Sequence, residues 1–418
     1  MRIDRRILPG TTFDETGTQA IVHADQNAAN ARGANAVDLQ SVRAAATQVA
    51  SGSRSFIGSG SNNTASGTAT GVICGVGNTN SALNSLLGCG QLNTLSASGG
   101  GSFLGTGAFN QISGTGSLNF LGTGFINSIT GSVVGSAIAT GNQVSITSGS
   151  YNAILTGQTS SVQGTQSAMI AASGCVINGI SAVVGGGFNH TITGDLALIG
   201  NGSGNSITSG KGGSYGNQIL NGGANTIGSG IQFSTILNGL NNDISSSAFS
   251  TILHGDGVST FSPREIAFGG VRQDSTNGTV QAGWHVLTID TSDNSLTEMT
   301  IDGAAYSTAN QINIPVDTTI AFELRLVAME QRTSGSDWAA WHVASVIQNL
   351  NGTTAIAGAT LDINKSDGSN SNAPPTGWGF SVAADNANDQ LNIYVQNAGT
   401  TTDVRWVARI SYTQVRYT

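Results

Sequence analysis

Between Gly60 and Gly255 the chain keeps returning to glycine in one frame. The anchors are Gly60, Gly77, Gly90, Gly107, Gly124, Gly141, Gly157, Gly174, Gly187, Gly202, Gly222, Gly239 and Gly255, thirteen in all and most often 17 residues apart. Other positions hold phase with them. Three residues before the anchor stand Ile57, Leu87, Leu104, Leu121, Ile138, Ile154, Val184, Ile199, Ile219, Ile236 and Ile252. Five after it stand Leu95, Ile112, Ile129, Ile146, Val162, Ile192, Ile207, Ile227 and Ile244. Three after it, asparagine recurs at Asn63, Asn80, Asn93, Asn110, Asn127, Asn205, Asn225 and Asn242. A repeat of this kind is one supersecondary unit that buries its apolar face by stacking on its neighbours. The unit is too short for two helices and a turn. Its β-branched residues favour strands, and its glycines favour turns. The period therefore predicts an all-β chain with a parallel β-solenoid of about 13 coils of ~17 residues. The recurrent asparagines suit either left-handed turns or a ladder of stacked amides, and the sequence leaves both open.

Charge marks where this pattern stops. Charged residues are 9% of the whole, against about 25% in ordinary domains. Residues 55–262 hold three acids (Asp195, Asp243, Asp256) and one base (Lys211), whereas 1–54 and 263–418 hold the rest. The division expected is an N-terminal attachment segment (1–54), a solenoid stalk (55–262) and a C-terminal domain (263–418). The net charge of −8 gives no basic footprint for nucleic acid. No run of about 18 apolar residues predicts a membrane helix. Cys74, Cys89 and Cys175 lack metal-site spacing and read as small hydrophobes in a chain assembled under reducing conditions.

Four residues before the anchor the early units carry Phe56, Ile73, Leu86, Phe103 and Phe120, and the later ones Gln218, Thr235 and Thr251. Neighbours in a strand face opposite ways, so these residues point out of the coil. Outward phenylalanines need a cover, and another copy of the chain supplies one. The expectation is a homotrimer, with Phe56, Phe103 and Phe120 at its interface. The repeat resembles the β-roll heads of trimeric autotransporter adhesins. With NNTASG at Asn62–Gly67, it also resembles the repeats of tailed-bacteriophage fibre and tailspike proteins. That resemblance implies a virion-borne trimer whose first residues attach to a tail or baseplate protein.

Ahead of the repeat, Leu39, Val42, Ala46 and Val49 follow 3-4-3 spacing. This predicts a short helix over 37–50 with Leu39, Val42 and Val49 in a trimer seam. An extended linker is the alternative. The C-terminal region alternates apolar and polar residues. "TTIAFELRLVAME" sets Ile320, Phe322, Leu324 and Leu326 against Glu323 and Arg325. "DQLNIYVQN" and "DVRWVARISYTQVRYT" behave alike, so an antiparallel β-sandwich or jelly-roll tip is expected. The block VRWVARISYTQV resembles the closing strand of phage fibre tip domains.

Chemistry is sparse. Glycoside hydrolysis needs two carboxylates on one site. The stalk has no glutamate and three scattered aspartates. The carboxylates of the tip, such as Glu323, Asp337, Asp385 and Asp389, read as solvated. No catalytic residue, metal site or cofactor is expected, and the chain reads as no enzyme. Binding is left to loops with aromatic and amide side chains, where sugar faces meet rings and hydroxyls meet amides. The candidates are Asp337 and Trp338, and Asn370, Asn372 and Trp378. The expected function is attachment of a bacteriophage to a host-surface glycan or protein, without membrane insertion. The alternatives are a polysaccharide-degrading tailspike, a capsid-decorating head fibre and a bacterial adhesin.

Overall fold

The computed structural model describes residues 32–208, 216–271, 277–331, 337–357, 374–399 and 403–417, with the backbone of 361–366. The chain divides into two compact units, Met1–Leu196 and Ala197–Thr418. Among the described residues the one helical element is the short 3-10 turn Thr308–Asn310.

Unit one is a parallel β-solenoid. One face stacks short strands from Phe56–Ile57 through Leu86–Leu87, Phe103–Leu104 and Phe120–Phe125 to Val183–Phe188, all parallel. The other stacks Thr64–Ala65 through Thr94–Leu95, Ser128–Ile129 and Ser161–Val162 to Thr191–Ile192. The two apolar columns read from the sequence fill the interior. Ile57, Leu104, Ile138, Leu95, Ile129 and Val162 are all fully buried. Burying such a side chain contributes about 1.5–3 kcal/mol, and most coils contribute two, Asn80 being an exception in the second coil.

The asparagines form ladders between coils. Asn93 Oδ1 accepts the backbone N–H of Asn110 at 3.0 Å, and Asn110 Oδ1 accepts that of Asn127 at 3.1 Å. Each side-chain amide also donates onward: Asn110 Nδ2 reaches the carbonyl of Gly124 at 2.9 Å. Left-handed geometry falls instead on the residue just before, at Leu92 (φ 53), Phe109 (φ 58) and Ile126 (φ 55). The stack imposes that turn on side chains that disfavour it. A second ladder runs through Ser85, Ser102, Asn119, Ser136, Asn152 and Ser167, each side-chain oxygen accepting the next coil's N–H.

The register corrects the sequence frame at two coils. Ser61 bridges Val76, and Val76 bridges Gln91, so the anchor beside Gly60 is Gly75, not Gly77. Gly157 aligns with Ala172, not Gly174. The ladder residue of the second coil is therefore Asn78, whose N–H meets Asn63 Oδ1 at 3.0 Å. Asn80 lies in the core column, its amide donating to the carbonyls of Gly71 and Ser85. Gly71, not Ile73, aligns with Phe56. The anchor is glycine for want of space: a Cβ on Gly107 (φ 111) would stand 2.0 Å from the carbonyl oxygen of Gly124.

The short helix expected over 37–50 is absent. Val37–Asp38 pairs in parallel with Phe56–Ile57, and Leu39 N–H donates to Ile57 at 2.9 Å. Stacking on the next coil satisfies these groups better than an isolated turn of helix does. Val49 is buried, Leu39 half-buried and Val42 57% exposed, so they form no common seam. Asp38 takes the core position and accepts hydrogen bonds from Arg43 (2.6 Å) and the Ala50 N–H (3.1 Å). The attachment expected of the first residues falls, through residue 31, outside the described residues. Cys74 and Cys89, neighbours in adjacent coils, are joined by a disulfide. This corrects the reading of all three cysteines as small hydrophobes; Cys175 alone is free and buried. Cys175 also serves in the ladder, its sulfur accepting the N–H of His190.

Unit two begins with further coils, stacking Leu198–Ile199, Gln218–Ile219, Thr235–Ile236, Thr251–Ile252 and Ile266–Phe268. The last of these changes the fold. Ile266–Phe268 pairs antiparallel with β1 (Val280–Thr291), so the final coil templates the tip. The tip has eight main strands: β1, β2 (Thr318–Glu330), β3 (Trp338–Leu350), β4 (Thr353–Ile356), β5 (Leu361–Ser366), β6 (Gly379–Asp385), β7 (Gln390–Gln396) and β8 (Val404–Arg416). The large antiparallel sheet runs β1, β8, β2, β3, with β4 and β5 both on β3. The small sheet pairs β7 with β6 on one side and with Thr297–Glu298 and Ile312–Asn313 on the other. Between the sheets lie Trp341, Trp378 and Trp406 with Phe322, Leu324, Leu391, Ile393 and Ile410. Where coil meets tip, the buried Glu265 accepts the N–H groups of Phe261 (2.7 Å) and Ser262 (3.1 Å) and the Tyr412 hydroxyl.

Candidate functional site

In β7 the alternate residues Leu391, Ile393 and Val395 face the core. Gln390, Asn392 and Tyr394 therefore stand on the opposite face of the small sheet. Pairing brings two carboxylates to that face. Glu298 lies beside Tyr394, and Asp385 beside Gln390 on the other flank of β7. The segment 302–310 folds over the same face, with Gln390 Nε2 donating to the Thr308 carbonyl at 2.8 Å. It carries Tyr306, 44% exposed. Asn388 Nδ2 donates to the Tyr306 hydroxyl (3.3 Å) and to Asp385 Oδ2 (2.7 Å). Asn392 Nδ2 donates to the Tyr394 hydroxyl at 3.2 Å.

The surroundings drive the two carboxyls apart. Burial pushes Glu298 up to about 7, the charge of Asp385 adds to the rise, and a hydrogen bond with Tyr394 opposes it. Its Oε1 is enclosed and has no hydrogen-bond partner among the described residues. Asp385 is held below the ordinary carboxylate range, first by the Asn388 side chain, then by the N–H groups of Ala387 (2.9 Å) and Asn388 (3.2 Å). Tyr306 is raised by desolvation and by the charges of Asp385 and Glu298. One carboxylic acid about half protonated near neutrality, on the same face as one kept ionised, is the division of labour of acid–base hydrolysis.

The candidates read from the sequence lie elsewhere. Trp338, 40% exposed, stands on the outer face of the large sheet, and Asp337 is exposed beside it. Trp378 is 8% exposed, its ring 5.7 Å from that of Trp406. It is a core residue with no free face for a sugar, which corrects its reading as an exposed contact. Asn370 and Asn372 lie outside the described residues. In the solenoid, Phe56 and Phe120 are more than two-fifths exposed, and Phe103 is half-buried with its ring stacked 5.4 Å from that of Phe120. Glu298, Tyr306 and Tyr394 were missed. Their one signal was a half-polar strand, "NIYV", in which the polar residues Asn392 and Tyr394 share a face.

No protein-family model and no curated protein sequence matches the chain. Solved structures similar to it include the tailspike protein of Acinetobacter baumannii phage AM24, at 8% identity, covering 78% of each chain with a TM-score of 0.20. They also include a tailspike protein from Acinetobacter baumannii bacteriophage Fri1, at 8% identity, covering 86% of this chain and 69% of that one with a TM-score of 0.19. The second is described as a capsular polysaccharide depolymerase. The expectation that the chain is no enzyme is set aside: it rested on taking the carboxylates of the tip as solvated, and Glu298 is not, its Oε1 being enclosed. Among the described residues no helix is long and apolar enough to cross a membrane.

Proposed function

We propose that this chain is a virion tail component that engages a host-surface polysaccharide and cleaves it on the outer face of the small tip sheet. The observation that carries the reading is the pair Glu298 and Asp385, on one face, with their acidities displaced in opposite directions. Glu298, about half protonated near pH 7, gives its proton to the departing glycosidic oxygen. Asp385, ionised, takes a proton from the attacking water. The rings of Tyr306 and Tyr394 offer apolar faces to sugars, and the exposed amide of Asn388 offers a partner to hydroxyls. Tyr394 and Gln390 lie four residues apart on β7, and the carboxylates flank it on opposite sides. At ordinary sheet spacings their Cα atoms are about 16 Å apart.

The chain is proposed to act as a homotrimer. The outward column Phe56, Leu86, Phe103 and Phe120 is the surface that sister chains cover. Incubation of the purified protein with polysaccharide from the host surface tests the reading. New reducing ends are expected. Binding with no new ends returns the chain to a receptor-binding fibre.

A further inference from the structure

We propose that the outer face of the large tip sheet is a second glycan-contact surface, built for an acidic polysaccharide lying across the strands. This rests on the reading that the chain engages polysaccharide, and not on cleavage. Register places Arg409 of β8, Arg325 of β2 and His342 of β3 in one row on adjacent strands. Like charges directly opposite one another destabilise a sheet. Relief within the sheet is small. Among the described residues Glu323 serves the middle of the row, 4.0 Å from Arg325 and 3.6 Å from His342, and both Arg325 and Glu323 are more than half exposed. Arg409 lies with its guanidinium 5.0 Å over the ring of Trp284.

The same face shows what a matched arginine looks like. Arg405 meets Asp290 through two bonds of 2.9 and 2.8 Å. Arg409 and Arg325 face each other across the strands instead, on a chain whose net charge is −8. Directly beside this row runs a trough lined by Ala321, Ala344, Val346, Ser411 and Thr413, with Glu323 itself in the lining between Ala344 and Ser411. Tall cations along a shallow trough form a cradle for an extended, negatively charged polymer. Carboxylates of the polymer take the guanidinium forks.

Polygalacturonate serves as the acidic probe and dextran as the neutral one. Affinity measured at low ionic strength is expected to be detectable for polygalacturonate, to fall as salt is added, and to be absent for dextran. Arg325→Gln and Arg409→Gln should each weaken polygalacturonate binding about tenfold, the loss of one charge-assisted contact. Glu323→Gln removes the competing carboxylate and should tighten it. Thermal melting confirms that each variant is folded. Three results overturn the proposal: no binding of polygalacturonate by the wild type, arginine variants that bind as well as wild type, or variants whose defect is a fall in native mass. The last would make this face a contact between copies. Release of reducing ends is read separately. If it fails while salt-sensitive binding persists, cleavage is lost and this surface stands; the converse result removes only this surface.

Discussion

Replacing Asn110 by alanine tests what the ladder is worth. The side chain accepts the backbone N–H of Asn127 at 3.1 Å and donates to the carbonyl of Gly124 at 2.9 Å. Truncation leaves the Asn127 N–H without its acceptor at a fully buried residue. An orphaned buried donor costs about 1–3 kcal/mol. Gly124 is less affected, because its carbonyl still accepts the N–H of Ala108 at 3.1 Å. That loss is one ordinary hydrogen bond, about 1 kcal/mol. Asn110→Ala should therefore destabilise its unit by about 2–4 kcal/mol. Thr115→Ala, at an exposed hydroxyl pair with Ser132, is the control and should change stability by less than about 0.5 kcal/mol. The five tryptophans all lie beyond residue 283 and report on the tip. Urea unfolding is therefore followed by far-UV circular dichroism. A loss no larger than that of the control would refute the ladder as a source of stability.

Three further outcomes are expected. Glu265 is pushed up to about 7 by burial, so the folded tip keeps a proton that the unfolded chain releases above about 4.5. Stability falls by about 3 kcal/mol as pH rises through that window, while His285, lowered to about 3 by burial, makes stability fall as pH drops below about 6.5. Between about 4.5 and 6.5 the two slopes oppose and largely cancel, so the wild-type denaturation midpoint read by tryptophan fluorescence should be nearly flat there, whereas Glu265→Gln should leave the His285 slope alone and its midpoint should rise with pH over the same range. Phe120→Asp should convert a trimer into smaller species by native mass, and a monomeric wild type would contradict the proposed interface. Cys74→Ser opens the disulfide to Cys89, whose sequence separation is 15. It should cost about 3 kcal/mol, and a reductant should do the same to the wild type alone.

The solenoid was legible because its core is a strict column. Ile57, Leu104, Ile129 and Val162 each occupy the position the period assigns, and each is fully buried. The frame slipped where glycine was ambiguous. "CGVGN" offers both Gly75 and Gly77, and both adopt positive φ, so residue type could not choose between them. It slipped again where Ala172 holds the anchor in an extended strand. The first coil misled because the apolar spacing of Leu39, Val42 and Val49 fits a helix as well as a coil, and only pairing with Phe56–Ile57 decides. The candidate site was not legible. Glu298 and Asp385 are far apart in the chain and come to one face of the small sheet only because both flank β7. Trp378 does lie in a loop, immediately before β6, yet it turns inward and packs on Trp406 in the core.

The measurement closest to the central claim follows the length of a host-surface polysaccharide by size-exclusion chromatography, with wild type and Glu298→Gln side by side. Glutamine keeps the shape of the side chain and removes the proton donor. The account predicts progressive shortening by the wild type. With Glu298→Gln the polymer should stay at full length although the variant still binds it. Shortening at an equal rate by both proteins would contradict the assignment of Glu298 as the acid.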